Sequence, residues 1–438
     1  MKMRWFIGLI LGAVISTGVA WAQESQGPLS LEESIKIAME RSLTINSAVL
    51  GIEGSEYVRK QAITNFLPQL TGTYSGTRYS VPLVIATTPI SIPGVTSTSR
   101  DIYRLATTAN QPLFTGGFNL ATYRSAKMGV DLSKEGLETA KRDLILQVRV
   151  GYFTVLRAEK FLLVAQQQVE QFQAQLDVTK SFFDVGIVPK NDVLQAEVNL
   201  ANAKQALVKA ANDLATAKAS FNILLRREID TPFEVVDILV YEAFPLSYEQ
   251  SLEEAFRLRP EIKTAQLNID QAKENVKIAA SGFFPTVNLS GVYNRNSDEP
   301  ELGGMLRTGG WSIGTTTSFT LWNWGNTAFK VAQNKVTVKQ AENSKTQLIE
   351  SITLEVKDDY LNMQVAEKNI KVAETAIEQA EENLRMTQER YRFQVSTQTD
   401  VIIAVTLLTQ AKTNYYGALS DFNVAKAQLE RGMGRMYP

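Results

Sequence analysis

The chain has 438 residues, of which 44% are hydrophobic, and a formal net charge of −1. These values can support a large core and show no basic excess that would indicate a nucleic-acid-binding surface. The chain contains no cysteine and no histidine, which excludes disulfides and thiolate metal sites and removes the commonest general base. Because it also has no phosphate loop ahead of a helix, we predict a protein that is not an enzyme and binds no cofactor, metal or nucleic acid.

Residues 1–22 have the pattern of a secretory signal peptide. Lys2 and Arg4 precede an apolar stretch over 5–19, and Ala20-Trp21-Ala22 is a small-x-small cleavage site. An uncleaved anchor helix is the alternative, but the apolar run is short for a membrane span. No later segment offers ~20 uninterrupted apolar residues, so the sequence predicts no transmembrane helix after the signal.

The rest of the sequence contains one structural unit twice, over 23–230 and 246–438, with a linker at 231–245. In both units a heptad seam, over 117–226 and 325–431, has a large residue at one core position and mostly alanine at the other. This pattern is typical of long, closely packed helices, and a break in each seam predicts a helical hairpin. Identities recur 208 residues apart, as in Tyr152 and Tyr360, and in Asp192-Val193 and Asp400-Val401.

Ahead of each hairpin, the sequence predicts a helical segment and then two strands. The helical segments are 29–65 and 246–280, and each is followed by a proline, Pro68 or Pro285. After each proline the hydrophobic period changes from helical to alternating. The four predicted strands are 69–81, 102–114, 286–295 and 310–322, with exposed loops at 82–100 and 296–309.

The alternating segments have the length and pattern of transmembrane β-strands. Roughly 10 alternating residues can span a bilayer with one face toward lipid and the other toward a polar lumen. Trp311, Trp322 and Trp324 lie near the ends of the fourth segment, where an interfacial aromatic belt would be. For each aromatic residue the alternative is ordinary packing, and for the strands it is a soluble sheet lying on the helices.

Four strands cannot close a barrel, and an open sheet edge cannot face lipid. If the strands span a bilayer, several copies must therefore share one barrel, each supplying four strands. The first arm of each hairpin is roughly 100 Å long if unbroken. The hairpins would then stand as rods on the membrane, and several rods around one axis would enclose a tube.

Over essentially its whole mature length, the sequence resembles the TolC-like outer-membrane efflux and secretion ducts. The resemblance is carried by the duplicated strand-strand-helix-helix unit and by Pro68, Pro285, the segments 113–117 and 321–325, and the tips 184–194 and 392–402. It implies a homotrimer in the outer membrane of a Gram-negative bacterium, with a 12-stranded β-barrel continued by a periplasmic α-helical barrel. It also implies a passive exit duct for small molecules or polypeptides in a tripartite efflux pump or a type I secretion system. Such a duct docks to a periplasmic adaptor protein and, through it, to an inner-membrane transporter.

The resemblance further implies that the hairpin tips form the periplasmic mouth, where a gate ringed by acidic side chains closes. The family's gate tyrosine falls at Tyr391, its constriction aspartate at Asp400 and its first-half aspartate at Asp192. The gate arginine of the best-known member falls at Ser396 and a second constriction aspartate at Ile403, so the implied acidic ring is one carboxylate deep. The implied adaptor-contacting residues are Val185, Gly186, Val188, Pro189, Val395, Ser396 and Thr397.

The tip residues also have structural interpretations that stay open at this point. Asp192 and Asp400 each precede a helix, and aspartate is a favoured N-cap. Tyr391 continues the heptad seam of Leu384. For the whole chain, the alternative is a soluble periplasmic coiled-coil adaptor or structural rod, which would be extracted without detergent.

Overall fold

The computed structural model describes residues 28–85, 97–303 and 308–436. The predicted signal peptide lies outside these residues. The helices are α1 Leu31–Arg41, α2 Leu43–Thr64, α3 Phe118–Asp184, α4 Lys190–Leu224, α5 Tyr248–Leu258, α6 Pro260–Ala280, α7 Asn326–Arg392 and α8 Gln398–Gly432, with a 3-10 turn at Ser281–Phe283. The strands are β1 Gln69–Ile85, β2 Ser97–Phe114, β3 Thr286–Ser297 and β4 Thr308–Ser318. No helix in the described ranges is both long enough and apolar enough to cross a membrane.

The two long helices, α3 and α7, contain 67 residues each and are therefore about 100 Å long. Each begins directly after a left-handed glycine, Gly117 at φ 87° and Gly325 at φ 79°. Glycine adopts this conformation without strain, so it allows the chain to turn sharply from a strand into a helix. Each long helix then pairs with a 35-residue partner, α4 or α8, to form a hairpin.

The helical segments predicted at 29–65 and 246–280 each consist of two short helices, α1 and α2 in the first and α5 and α6 in the second. The first segment breaks at Ser42, whose hydroxyl accepts a hydrogen bond from the Ile45 N–H at 3.3 Å and caps α2. The second breaks at Arg259, since the following Pro260 disfavours helical backbone in the residue before it. Proline at the first position of α6 is itself compatible with a helix.

The four strands form one antiparallel sheet in the order β1-β2-β3-β4. Residues directly opposite each other share a face, so the register sorts the side chains into two sets. One set includes Leu70, Tyr74, Leu105, Tyr293 and Trp311, and the other is mainly Thr, Ser and Asn. The sheet therefore has an apolar face and a polar face, as the alternating pattern predicts.

The strand bounds differ most from the predicted ones in the 82–100 loop and at the end of β4, and the loop between β3 and β4 is shorter by two residues at each end, since β3 ends at Ser297 and β4 begins at Thr308. β1 extends to Ile85 and β2 begins at Ser97. Both ends of the predicted 82–100 loop are therefore strand. β4 ends at Ser318 instead of 322, although Phe319 and Leu321 continue its alternation. Beyond Ser318 this strand has no partner, because β3 begins at Thr286, which pairs with Ser318.

The main core lies midway along the long helices and includes the start of the described chain and the 231–245 linker. Leu29 pairs with Val235 in an isolated parallel bridge. Tyr152 is fully buried, with its hydroxyl 3.0 Å from the Leu29 carbonyl oxygen and 2.8 Å from that of Val236. Burial raises the pKa of Tyr152 to about 12, so the hydroxyl keeps its proton and donates this bond.

Candidate functional site at the hairpin tips

Both hairpin tips turn by the same backbone motif. At the first tip, the N–H of Ile187 bonds to the Phe182 carbonyl at 2.8 Å, and that of Gly186 to Phe183 at 2.9 Å. At the second, Val395 bonds to Arg390 at 2.8 Å, and Gln394 to Tyr391 at 2.9 Å. This is the Schellman arrangement, which requires a left-handed residue after the helix. Gly186 fills that position at the first tip, but Gln394 does so at the second, at φ 61°.

A second buried cluster joins the two hairpins near their tips. It contains residues from all four hairpin helices: Phe172, Leu176, Ala196, Leu200, Ala203, Leu384, Tyr391, Val401, Ala404 and Val405. The large-and-small heptad pattern explains how this cluster forms, since the alanines let the helices approach closely. The hairpin tips therefore pack together within one chain.

Tyr391 lies inside this cluster and is only 4% exposed. Its hydroxyl is 3.3 Å from Oγ1 of Thr179 on α3, and its ring centroid is 5.5 Å from that of Phe182. Burial raises the pKa of Tyr391, with a smaller contribution from the charge of Asp192. The heptad-core interpretation of Tyr391 is thus correct, and the same side chain bonds one hairpin to the other.

A second link between the hairpins is made by Gln398, the first residue of α8. Its Nε2 donates to the backbone carbonyl of Asp192 at 2.7 Å, although Gln398 is only 3% exposed. Sequence reasoning missed both Thr179 and Gln398. The one available signal was a polar residue at a buried helical position, which is uncommon unless it is hydrogen-bonded.

The two aspartates behave differently from the predicted N-caps. The N-cap of α4 is Pro189 and that of α8 is Thr397, so both Asp192 and Asp400 lie within the first turn. Asp400 completes a capping box with Thr397, accepting from its N–H and its hydroxyl at 2.8 Å each. The Thr397 N–H lowers the pKa of Asp400, which therefore stays ionised while exposed at the tip.

Apolar side chains are exposed on both tips. Val185 is 69% exposed, Val395 65% and Ile403 52%, with Ile403 three residues after Asp400. Among the other predicted contact residues, Gly186 and Pro189 are exposed, whereas Val188 is half-buried. Ser396 is also half-buried, and its hydroxyl donates to the Thr387 carbonyl at 3.2 Å. The described tips thus combine an exposed carboxylate with exposed aliphatic groups.

The tryptophans lie at the opposite end of the long helices. Trp311 is on the apolar face of β4, while Trp322 and Trp324 follow the strand and form an edge-on pair with centroids 5.8 Å apart. All three are more than 70% exposed. The described part of the chain therefore leaves most of the surface of these three tryptophans uncovered.

The architecture matches a known family. The model for the family described as outer membrane efflux protein matches residues 34–225 and 251–435, one range in each repeat. The chain belongs to the outer membrane efflux protein family. The fold class predicted from the sequence, a membrane β-sheet continued by duplicated α-helical hairpins, and the predicted outer-membrane location are confirmed at this level.

Relatives in the outer membrane efflux protein family are distant in sequence. The chain is 22% identical over 334 residues to the outer membrane efflux protein BepC of Brucella suis, covering 76% of this chain and 69% of BepC. It is 24% identical over 305 residues to TolC of Vibrio cholerae, covering 68% of each. Among solved structures, CusC superposes with a TM-score of 0.79 at 18% identity, covering 93% of this chain and 92% of CusC. The chain is thus a channel protein of efflux or type I secretion.

Proposed function

We propose that three copies of the chain form a passive exit duct, with a shared 12-stranded barrel in the outer membrane and the helical hairpins enclosing a periplasmic tube. The observation that carries this proposal is the sheet. Its four strands have an exposed apolar face and a polar face, but both outer strands, β1 and β4, have an unpaired edge. An edge cannot face lipid, so further copies must supply the missing strands.

The tryptophans fit the two boundaries of a membrane. Trp311 and Trp322 are 11 positions apart, or roughly 36 Å along an extended strand. At the ~45° tilt of membrane strands this span becomes about 25 Å, which is the height of the apolar band of an outer-membrane barrel. We assign Trp311 to one interface with lipid and Trp322 and Trp324 to the other.

The tips supply the periplasmic mouth. Asp400 is exposed and ionised, and three copies would place three carboxylates around the opening, with Ile403 as an adjacent apolar ring. Tyr391, bonded to Thr179, and Asp192, whose carbonyl accepts from Gln398, hold the hairpins together in the closed mouth. A ring of carboxylates favours cations and binds multivalent ones.

The outer ends of the two tips are the proposed docking surface for a periplasmic adaptor protein, which links the duct to an inner-membrane transporter. The surface consists of Val185, Gly186, Val188, Pro189, Val395, Ser396 and Thr397. Exposed apolar groups at the end of a long rod favour an interaction site over simple solvation. The alternative of a soluble periplasmic rod is not favoured, because it would leave the apolar sheet face in water.

Single-channel recording in planar bilayers tests the mouth. The unmodified protein should form trimeric pores that prefer cations and are blocked by a trivalent cation. Asp400→Ala should lose both properties. The matched control is Thr397→Val, which removes the side-chain cap but retains the carboxylate, and it should keep them. If Asp400→Ala still shows cation preference and block, the carboxylate ring is wrong.

A further inference from the structure

The two β-hairpins of the chain have the same register. Pro68 and Pro285 are 217 residues apart, and the helix-starting Gly117 and Gly325 are 208 apart. These spacings carry Gln69 onto Thr286 and Asn110 onto Ser318. Gln69 lies opposite Asn110 in the first hairpin, and Thr286 lies opposite Ser318 in the second. Over residues 69–78 and 101–110, the ten pairs of the first hairpin therefore match pairs of the second hairpin residue for residue.

The pairing of β2 with β3 is consequently a junction between two equivalent hairpins, with Asn110 opposite Ser290. The residue 208 positions after Asn110 is Ser318, and the residue 217 positions before Ser290 is Thr73. The pair equivalent to Asn110 and Ser290 is therefore Ser318 and Thr73. We propose that β4 of one copy of the chain pairs with β1 of the next copy in this register, with Ser318 opposite Thr73 of the neighbour. Because the trimer is itself a proposal, this junction rests on the proposed function and specifies how its barrel closes.

The faces of the strands agree with this register. The odd-numbered residues of β4, such as Trp311 and Thr317, share the apolar face with the even-numbered residues of β1, such as Leu70 and Tyr74. The proposed register places Thr317 opposite Tyr74 of the neighbour, apolar face beside apolar face. A slip of one residue would place a lumen residue of one copy beside a lipid-facing residue of the next.

The register also accounts for the early end of β4. Residues 111–114 of β2 extend beyond β1 and are strand only through pairing with β3. Their equivalents, 319–322, have no partner in one copy and are not strand. Phe319, Leu321 and Trp322 are 55%, 85% and 74% exposed. Pairing with a neighbouring β1 would complete this strand to the bound that the sequence predicts.

One cross-strand contact can be compared directly. Within the chain, the Tyr103 ring covers Gly76, where an added Cβ would lie 2.9 Å from the ring. The proposed register places Phe319 opposite Gly72 of the neighbour. Gly72 has open space around its missing Cβ, so an aromatic ring can cover it in the same way. Aromatic residues that cover glycine stabilise strand pairs.

The copied register ends with the strands. An added Cβ at Gly116 would lie only 2.7 Å from the Ser281 carbonyl oxygen, and Trp324 occupies the equivalent position in the second repeat. The helix of the neighbour must therefore lie farther away at that level than α6 does within the chain. The copied register therefore covers residues 311–322, the equivalents of the β2 residues 103–114 that pair with β3.

Disulfide trapping tests the register, and the chain offers a cysteine-free background. Opposite residues in adjacent strands have Cα atoms roughly 4.5–5.5 Å apart, within the range of a disulfide. The double variant Thr73→Cys with Ser318→Cys should yield covalent trimers on a denaturing gel without reductant. The intrachain control is Asn110→Cys with Ser290→Cys, which has the equivalent geometry and should form a disulfide without joining chains.

The decisive comparison uses pairs shifted by two residues, which keep the same face. A two-residue shift adds about 6.8 Å along the strand, so Ser318→Cys with Thr71→Cys or with Ser75→Cys should give little covalent trimer. If the trimer is present but a shifted pair cross-links best, the register is wrong while the proposed duct stands. If the unmodified chain forms no trimer in detergent, both the junction and the proposed function are overturned.

Discussion

A carboxyl group in the second repeat occupies the position of a glycine in the first. Asp359 is 208 residues after Gly151. An added Cβ at Gly151 would lie 3.3 Å from Cδ2 of Leu224, whereas an added Cβ at Gly432 would lie 3.0 Å from Oδ2 of Asp359. Since Leu224 and Gly432 are also equivalent, the large and small partners are exchanged between the repeats. The exchange keeps the helices close but places an ionisable group between α7 and α8.

Burial raises the pKa of Asp359 to about 6 from its ordinary value of 3.8, and the nearby charge of Glu355 adds to the shift. Arg259 and Arg431 oppose it, but both already bond to Glu355, at 2.6 Å and 3.0 Å. At full strength, the shift would disfavour the ionised form by about 3 kcal/mol. Because Asp359 is only half-buried, solvent screening reduces this to about 1–2 kcal/mol.

We therefore expect Asp359→Asn to change how stability depends on pH. The folded protein binds the proton of Asp359 more tightly than the unfolded chain does. The stabilisation that this proton gives to the folded state is complete below about pH 3.8 and is lost as the pH rises through about 6. The variant should lack this loss and be more stable than the unmodified protein by about 1–2 kcal/mol at pH 7.5.

Helix unfolding followed by circular dichroism in detergent, at pH 4.5 and pH 7.5, measures this difference. The matched control is Asp358→Asn, which removes an adjacent exposed carboxylate and should change the pH dependence only slightly, because Asp358 makes the smallest contribution to the raised pKa of Asp359. Equal pH dependence in Asp359→Asn and the unmodified protein would refute the assignment of a strained carboxyl to Asp359. A fall in stability of the variant at pH 7.5 would show instead that the ionised group is stabilised by the two arginines.

Further substitutions test the middle of the rod and the tips. Tyr152→Phe should lower the free energy of unfolding by about 1–2 kcal/mol, because it removes a buried hydrogen bond to Leu29 or Val236. The equivalent substitution in the second repeat, Tyr360→Phe, should lower it much less. Denaturant unfolding measures both variants, and equal losses would refute this reasoning. Gln394→Gly should relieve left-handed strain at the second tip and stabilise its turn by up to about 1 kcal/mol, seen as slower hydrogen exchange there; faster exchange would contradict it.

The duplicated hairpins and the two faces of the sheet could be predicted because they depend on periodicity. The alanine seam fixes which helix faces pack, and alternation fixes which strand residues share a face. The helix break at Ser42 could not be predicted, because serine is tolerated within helices and its capping bond is visible only in the structure. The end of β4 at Ser318 was predicted wrongly, since the pattern describes a strand that needs a neighbouring strand to form.

The candidate site could be located but not resolved from the sequence. The tip turns follow from glycine and proline, and the position of Tyr391 follows from the heptad. Its bond to Thr179 depends on the relative rotation of α3 and α7, which no local pattern specifies. The same holds for Gln398, whose partner is the backbone carbonyl of Asp192 on the other hairpin. Any residue at position 192 has this carbonyl, so the sequence there does not indicate the bond.

The energetics of the tips fit the proposed mouth and its proposed opening by a docked partner. Hydrogen bonds join the hairpins near the tips at Tyr391, at Gln398 and at Gln388, whose Nε2 donates to Oε1 of Gln171 at 3.2 Å, and each contributes only about 0.5–1.5 kcal/mol. Converting a mouth from 99% closed to 99% open requires about 5.5 kcal/mol of preferential binding to the open state. Covering exposed apolar side chains such as Val185, Phe393 and Val395, at 69%, 76% and 65% exposure, can supply about 1.5–3 kcal/mol each. A partner that contacts these groups only in the open state could thus shift the equilibrium without any energy source in the duct itself.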